Sequence, residues 1–183
     1  VVANAESGEE REKHTRWYAK LDTTGSTLVQ PAVAPFAPGG AKGTQRTARI
    51  AGMLSSSAAA FATLQLVLDP DTAAALGPPM IGLRFWGKQG SSSRGKLQVS
   101  ATTTDGTAFG VDVPLYGEWT EYTILFSALK PATSNGPSTL AATRIERIEW
   151  RVTGAAAPYD VFVDEVRSVG CTPDTRPTGC FID

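Results

Sequence analysis

Catalysis needs particular side chains within reach of one another, and this sequence offers few of them. Its one histidine, His14, stands in a charged stretch between Lys13 and Thr15. No Gly-x-Ser-x-Gly turn is present to hold a serine nucleophile for it. There is no glycine-rich phosphate loop ending in Lys-Ser or Lys-Thr, no dinucleotide fingerprint after a strand and no His-Glu-x-x-His helix, so the enzyme classes built on those motifs fall away. Glu118 and Glu121 flank Trp119 and could be read as the acid and base of a glycosidase. With 18 acidic residues in the chain, however, some pair always meets the loose requirement of roughly 5–10 Å. The ordinary reading is a turn charge and an outward strand residue, and the chain is expected not to be an enzyme.

Other residues suit binding better. Sugars present apolar C–H faces ringed by hydroxyls, so a sugar binder needs aromatic platforms beside planar groups that donate and accept hydrogen bonds. In Ile81–Lys88, side-chain alternation sends Arg84, Trp86 and Lys88 to one face if Leu83 and Phe85 go to the other. Gln98 shares a parity with Ser100, and Glu149 and Arg151 share one with Arg147. Both sets are opposite to their apolar neighbours, and they could line the same sheet. Trp17 and Tyr18, next to Arg16, could add an aromatic wall, although one of the two is core if that segment is a strand. Trp119 and Trp150 read as core anchors before platforms, while Trp86 stands evenly between the two.

These residues need strands to hold them. Short runs of β-type residues alternate with Gly, Pro, Ser and Asn: Thr47–Leu54, Ala60–Leu68, Met80–Gly87, Lys96–Thr102, Ala108–Val113, Trp119–Phe126, Arg144–Val152 and Tyr159–Val169. Several have apolar residues at every second position, such as Leu97, Val99 and Ala101, the mark of strands with one buried face. Their number and spacing predict an all-β sandwich of two antiparallel sheets. Gln30–Thr44 and Pro131–Ser138 read as long irregular connections, candidate rims of a binding face. Asp71–Leu76, between Pro70 and Gly77, allows no more than a turn or two of helix.

Composition narrows the partners. The 17 basic and 18 acidic side chains nearly cancel, leaving no overall field to attract nucleic acid or an anionic membrane. The longest apolar stretch, Ser57–Leu68, is far short of the roughly 20 residues a membrane helix needs. The first residues lack the regions of a signal peptide, so any export signal is expected to lie outside this sequence. The only two cysteines, Cys171 and Cys180, bracket a Thr/Pro/Asp/Gly loop that a disulfide could close if the turn brings the Cβ atoms together. The alternative is two free thiols, since the spacing fits no zinc pattern. A disulfide would point to an extracellular setting. The expected division is a β-sandwich domain over residues 1–170 and a tail over residues 171–183.

Three stretches resemble a known family, the galactose-binding-like β-sandwich carbohydrate-binding modules, near families eleven and thirty. Met80-Ile81-Gly82-Leu83-Arg84-Phe85-Trp86-Gly87-Lys88 resembles their Gly-Ile-Arg-Phe-Trp-Ala-Lys-Gly strand. Gly117-Glu118-Trp119-Thr120-Glu121-Tyr122-Thr123-Ile124-Leu125-Phe126-Ser127 resembles Gly-x-Trp-x-x-x-x-Ile-Pro-Phe-Ser. Arg147–Trp150 with Tyr159–Val166 resembles their closing strand pair, and Gly39–Gly52 fits their glycine-rich entry to the second strand. The likeness implies a jelly roll that binds polysaccharide or oligosaccharide on the concave face of one sheet. It also implies a structural calcium ion, with Glu6 and Asp164 at the positions of the family's two carboxylates beside the turn at Lys42–Thr44. Such an oxygen-rich set suits calcium. Ala5 stands where an aromatic is usual, and Glu165 replaces a second aspartate.

The resemblance thus implies a non-catalytic carbohydrate-binding module, secreted or on a cell surface and associated with other domains of a larger glycan-degrading protein. A structural or protein-interaction sandwich without a sugar site is the alternative, since fold alone does not carry function. A small glycan-cleaving enzyme would need a carboxylate or tyrosine pair on the concave face.

Overall fold

Strict alternation of apolar and polar side chains can bury one face of a strand and leave the other wet, so strands patterned this way must pair into sheets and stack. The computed structural model describes residues 11–12, 15–29, 36–68, 80–133, 139–141 and 144–170, and shows two antiparallel sheets packed face to face. The strands are β1 (Arg11–Glu12), β2 (Thr15–Leu21), β3 (Thr27–Leu28), β4 (Phe36–Pro38), β5 (Arg46–Met53), β6 (Phe61–Leu68), β7 (Met80–Gln89), β8 (Lys96–Thr103), β9 (Ala108–Val113), β10 (Thr120–Leu125), β11 (Lys130–Pro131), β12 (Ile145–Thr153) and β13 (Pro158–Gly170). One sheet has seven strands in the order β1-β2-β6-β12-β8-β9-β11. The other has six, β10-β7-β13-β5-β3 with β4 also paired to β5.

All eight runs expected from the sequence are strands, within a residue or two at each end. Within the Gln30–Thr44 connection, Phe36–Pro38 forms the short strand β4, which pairs with β5 through Phe36↔Ala48 and Pro38↔Arg46. Asp71–Leu76, Cys171 and Cys180 lie outside the described residues, as does the tail.

The core lies between the sheets. From the seven-stranded sheet come Trp17, Leu64, Leu66, Val99, Phe109, Ile148 and Trp150; from the six-stranded sheet, Ile50, Leu83, Phe85, Tyr159, Val161 and Val163. Trp17 and Trp150 stand on either side of β6 and stack at 5.6 Å, and Phe85 meets Trp150 edge-on at 5.5 Å. The three rings therefore bridge the two sheets, in the offset and T-shaped geometries aromatic quadrupoles favour. Tyr159 is buried and donates its hydroxyl to the Thr27 carbonyl at 2.7 Å. Its ring needs Gly52 beneath it, since a Cβ there would lie 2.7 Å from the Tyr159 hydroxyl and 1.9 Å from the Thr27 oxygen.

The edges are short. Among the described residues the seven-stranded sheet ends on β1 and β11, two residues each, and the six-stranded sheet ends on one side at β3 and β4, two and three residues that both pair with β5. On its other side it ends at the six-residue β10.

Candidate functional site

Cross-strand register decides which side chains share a face. On the seven-stranded sheet, Tyr18, Gln65, Glu149, Ser100 and Gly110 form one row across five strands, and Lys20, Thr63, Arg151, Gln98 and Asp112 form the next. Their apolar neighbours point into the core, so both rows face outward. With strands about 4.8 Å apart, five of them span roughly 19 Å, room for a chain of sugars rather than one ring.

The outward face is a network of planar groups. Glu149 Oε1 accepts a hydrogen bond from Gln65 Nε2 at 2.5 Å and lies 2.9 Å from Arg147 Nε. That ion pair is close, but the Nε–H does not point along it, and this buried donor has no hydrogen-bond partner among the described residues,. The Arg151 guanidinium lies 3.9 Å above the Phe61 ring, and its Nε is likewise unpartnered. The Gln98 side chain lies across Gly110, where a Cβ would come within 3.1 Å of the amide carbon. Tyr18, half-buried, receives a long 3.5 Å contact from Arg16 Nη1. Around these groups Thr63, Gln65, Ser100 and Thr102 are sheltered from solvent even though they belong to the outer face.

Four of the residues expected at a sugar site therefore come together here: Tyr18, Gln98, Glu149 and Arg151. Trp17 does not. It is wholly buried and stacked on Trp150, because its place one residue from Tyr18 sends it to the opposite side of β2. Arg84, Trp86 and Lys88 do share an outward face, as alternation implies, but it is that of the six-stranded sheet, on the far side of the molecule. There, cations occupy the rings. Lys42 Nζ sits 4.8 Å from the Trp86 centroid, and Lys88 Nζ lies 4.9 Å from Trp119 and 4.6 Å from Phe162. Arg49 is 4.8 Å from Phe162 and forms a two-pronged ion pair with Asp160, at 2.8 and 3.0 Å. Arg84 pairs with Glu121 at 3.8 Å, which places Glu121 in a surface ion pair, while Glu118 is exposed. Trp119 is half-buried and Trp150 is core.

Phe61 and Gln65 were not among the expected site residues, yet their signal was present. In β6 the leucines occupy even positions, so Phe61, Thr63, Gln65 and Val67 had to face the other way. A cleft of about 480 Å³ opens at one end of the sandwich, lined by Gln89, Arg94, Lys96 and Asp112 over a floor of Leu97 and Val161. It shares only Lys96 and Asp112 with the sheet face.

A second constellation surrounds Asp164. The chain bulges between Asp164 and Arg167, with Glu165 at a φ of 50°. Asp164 is thereby buried beneath the tight turn Ala41–Gly43. Its Oδ2 accepts hydrogen bonds from the Ala41 N–H at 2.8 Å and the Thr44 hydroxyl at 2.7 Å, and its Oδ1 accepts one from the Glu165 N–H at 2.8 Å. Gly40 is required, since a Cβ there would lie 2.4 Å from Oδ2. Burial pushes the Asp164 carboxyl above its ordinary range against the pull of these donors. The turn thus presents an N–H and a hydroxyl to this buried carboxylate, and no cationic side chain is bonded to it among the described residues. Among the described residues no group of three or more His, Cys, Asp or Glu converges. Glu6, the other expected ligand, lies outside them.

No protein-family model and no curated protein matches this sequence. Solved structures match its fold. The family 11 carbohydrate-binding module of the cellulosomal cellulase Lic26A-Cel5E of Clostridium thermocellum superposes with a TM-score of 0.60 at 13% identity, over 93% of this chain and 96% of that one. A family 11 module from the same organism, solved with a β-1,3-1,4-mixed-linked tetrasaccharide, gives 0.55 at 14% over 89% and 92%. A family 30 carbohydrate-binding module gives 0.53 at 14% over 88% and 86%. The chain therefore has the jelly-roll β-sandwich fold of carbohydrate-binding modules.

Proposed function

We propose that this chain is a non-catalytic carbohydrate-binding domain that holds a polysaccharide along the outer face of the seven-stranded sheet. The observation that carries this reading is the cluster of amide, carboxylate, guanidinium and phenol groups in Gln65, Gln98, Glu149, Arg147, Arg151 and Tyr18, set around Tyr18 and Phe61 on a sheet face that no other element covers among the described residues. Such groups match sugar hydroxyls, and the rings match sugar C–H faces. The six-stranded face is the weaker candidate, because Lys42, Lys88 and Arg49 already cover its rings.

A calcium ion held by Asp164 and the Ala41–Thr44 turn, with Glu6 as a further ligand, would pin the sandwich's entry loop to its last strand. It would supply a structural cross-link and take no part in sugar binding. Secretion or display on a cell surface, and fusion to glycan-degrading domains, follow as part of the same reading.

Affinity electrophoresis through gels containing soluble polysaccharides tests the proposal. The parent should be retarded by at least one of them. Gly110→Ala should reduce that retardation by displacing Gln98 while leaving the fold intact. A parent that migrates freely through every polysaccharide gel sinks the sugar reading, and the alternative of a structural or protein-interaction sandwich takes its place.

A further inference from the structure

The two sheet faces differ in how they handle charge. On the six-stranded sheet, Arg49 is paired with Asp160, Arg84 with Glu121 and Arg167 with Glu165, while Lys42 and Lys88 rest on aromatic rings. That face is neutralised from within. On the seven-stranded sheet, among the described residues, the registers bring Lys20, Lys96, Lys130, Arg147 and Arg151 to the outer face beside Arg16, against the three acids Glu149, Asp112 and Glu146, the last exposed at the bulge in β12. Glu149 is already committed to Arg147 and Gln65. Among the described residues no carboxylate pairs with Lys20, Lys96, Lys130 or Arg151. A chain whose whole sequence carries a net charge of −1 thus concentrates uncompensated positive charge on one side, and it does so on the face that also carries the planar groups.

Neutral sugars give no reason for that excess, because hydroxyls are bound as well by amides at no electrostatic cost. Resting on the sugar-face reading, we propose that the ligand is an acidic polysaccharide whose sugar units carry carboxylates, a polyuronate. The face already holds one carboxylate, since Gln65 Nε2 donates to Glu149 and Arg147 lies beside it as an ion pair. Arg151 adds a guanidinium 3.9 Å over the Phe61 ring with no carboxylate paired to it among the described residues. Planar guanidinium against planar carboxylate is the strongest hydrogen-bonded ion pair available to side chains. Because Arg147 is already paired with Glu149, the second cation open to a ligand is Lys20, which shares a row with Arg151 two strands away, about 10 Å across the sheet,.

The test uses isothermal titration and affinity electrophoresis with polygalacturonate, its fully methyl-esterified form, mixed-linkage β-glucan, a sulfated galactan and polyglutamate. Polygalacturonate should bind, the neutral ester should bind at least tenfold more weakly, and affinity should fall as salt screens the contacts. Arg151→Gln should weaken binding about tenfold or more, whereas Arg49→Gln, which removes the same charge from the opposite face, should not. Equal binding of the ester or the β-glucan overturns the acidic inference and leaves the sugar reading standing. Equal binding of polyglutamate, an equal effect of Arg49→Gln, or preference for the sulfated galactan also overturns it. Binding to none of the glycans removes both readings.

Discussion

Trp17 and Tyr18 are adjacent in sequence and opposite in fate, which makes the pair a sharp test of how β2 is registered on β6. Trp17 is fully buried, pairs with Leu66 and stacks on Trp150. Trp17→Ala should therefore cost about 3–5 kcal/mol for lost transfer and the cavity left behind. Loss of the ring pair adds about 0.5–1.5 kcal/mol, offset by about 1–3 kcal/mol because the substitution deletes a buried indole N–H that has no partner among the described residues,. Taking the middle of each range, the net is about 3 kcal/mol, a large share of the roughly 5–15 kcal/mol that a domain has in total. Tyr18 lies on the wet side, its one described hydrogen bond is a long 3.5 Å, and Tyr18→Ala should move stability by about 0.5 kcal/mol or a little more. Polysaccharide binding should respond in the opposite order, lost in Tyr18→Ala and kept in whatever fraction of Trp17→Ala remains folded. Urea unfolding with a binding assay below the transition measures both. A Tyr18→Ala variant that unfolds as readily as Trp17→Ala would refute the reasoning, because a one-residue slip of β2 exchanges the two faces.

The proposed calcium ion would need the ionised Asp164, so protons and metal would compete for it. Burial raises the folded carboxyl above its ordinary 3.8; in the absence of metal the stability this contributes is full below that value and is lost as pH rises through the folded one. A chelator should accordingly lower the melting temperature at pH 7 and hardly at pH 4, and a melting curve indifferent to chelator at both would remove the metal. Asp105 accepts hydrogen bonds from Thr103 Oγ1 and the Thr107 N–H, which hold its carboxyl down at about 2. Its contribution is present above 3.8 and lost as pH falls through about 2, so Asp105→Asn should flatten the acid limb of a stability profile. Tyr159→Phe should cost about 0.5–1.5 kcal/mol by urea denaturation, with more if the Thr27 carbonyl stays dry. Burial pushes the Tyr159 hydroxyl up to about 12, so a spectroscopic titration should show no ionisation of this residue at lower pH unless the chain unfolds first.

The sandwich was legible because its information is local. Eight runs of alternating residues name eight strands, and the parity within each names its buried side, as at Leu83 and Phe85 against Arg84 and Trp86. What parity cannot state is which sheet a strand joins. Arg84, Trp86 and Lys88 share a face with one another but not with Gln98, Glu149 and Arg151, because β7 pairs with β10 and β13 while β8 and β12 pair with each other. That choice is made by contacts between residues far apart in the chain. The strand β2 was hidden by two adjacent aromatics, both suited to a wall. That Gln98, Glu149 and Arg151 face outward could be read from parity, whereas which of Trp17 and Tyr18 joins them could not, and Phe61 was passed over because an apolar ring in a leucine-rich strand reads as core.

The lengths of the edge strands bear on how the protein behaves in a crowded solution. A short rim offers a passing chain too little backbone to template a ladder, so the two-residue β11, and β3 and β4 with two and three residues along β5, act as natural stops against strand-by-strand growth,. β10 is different: it presents six residues with Glu121, Thr123 and Leu125 exposed, so it is the flank on which misassembly would begin. A lysine in place of Leu125 or Thr123 would guard it without touching either sheet's buried side.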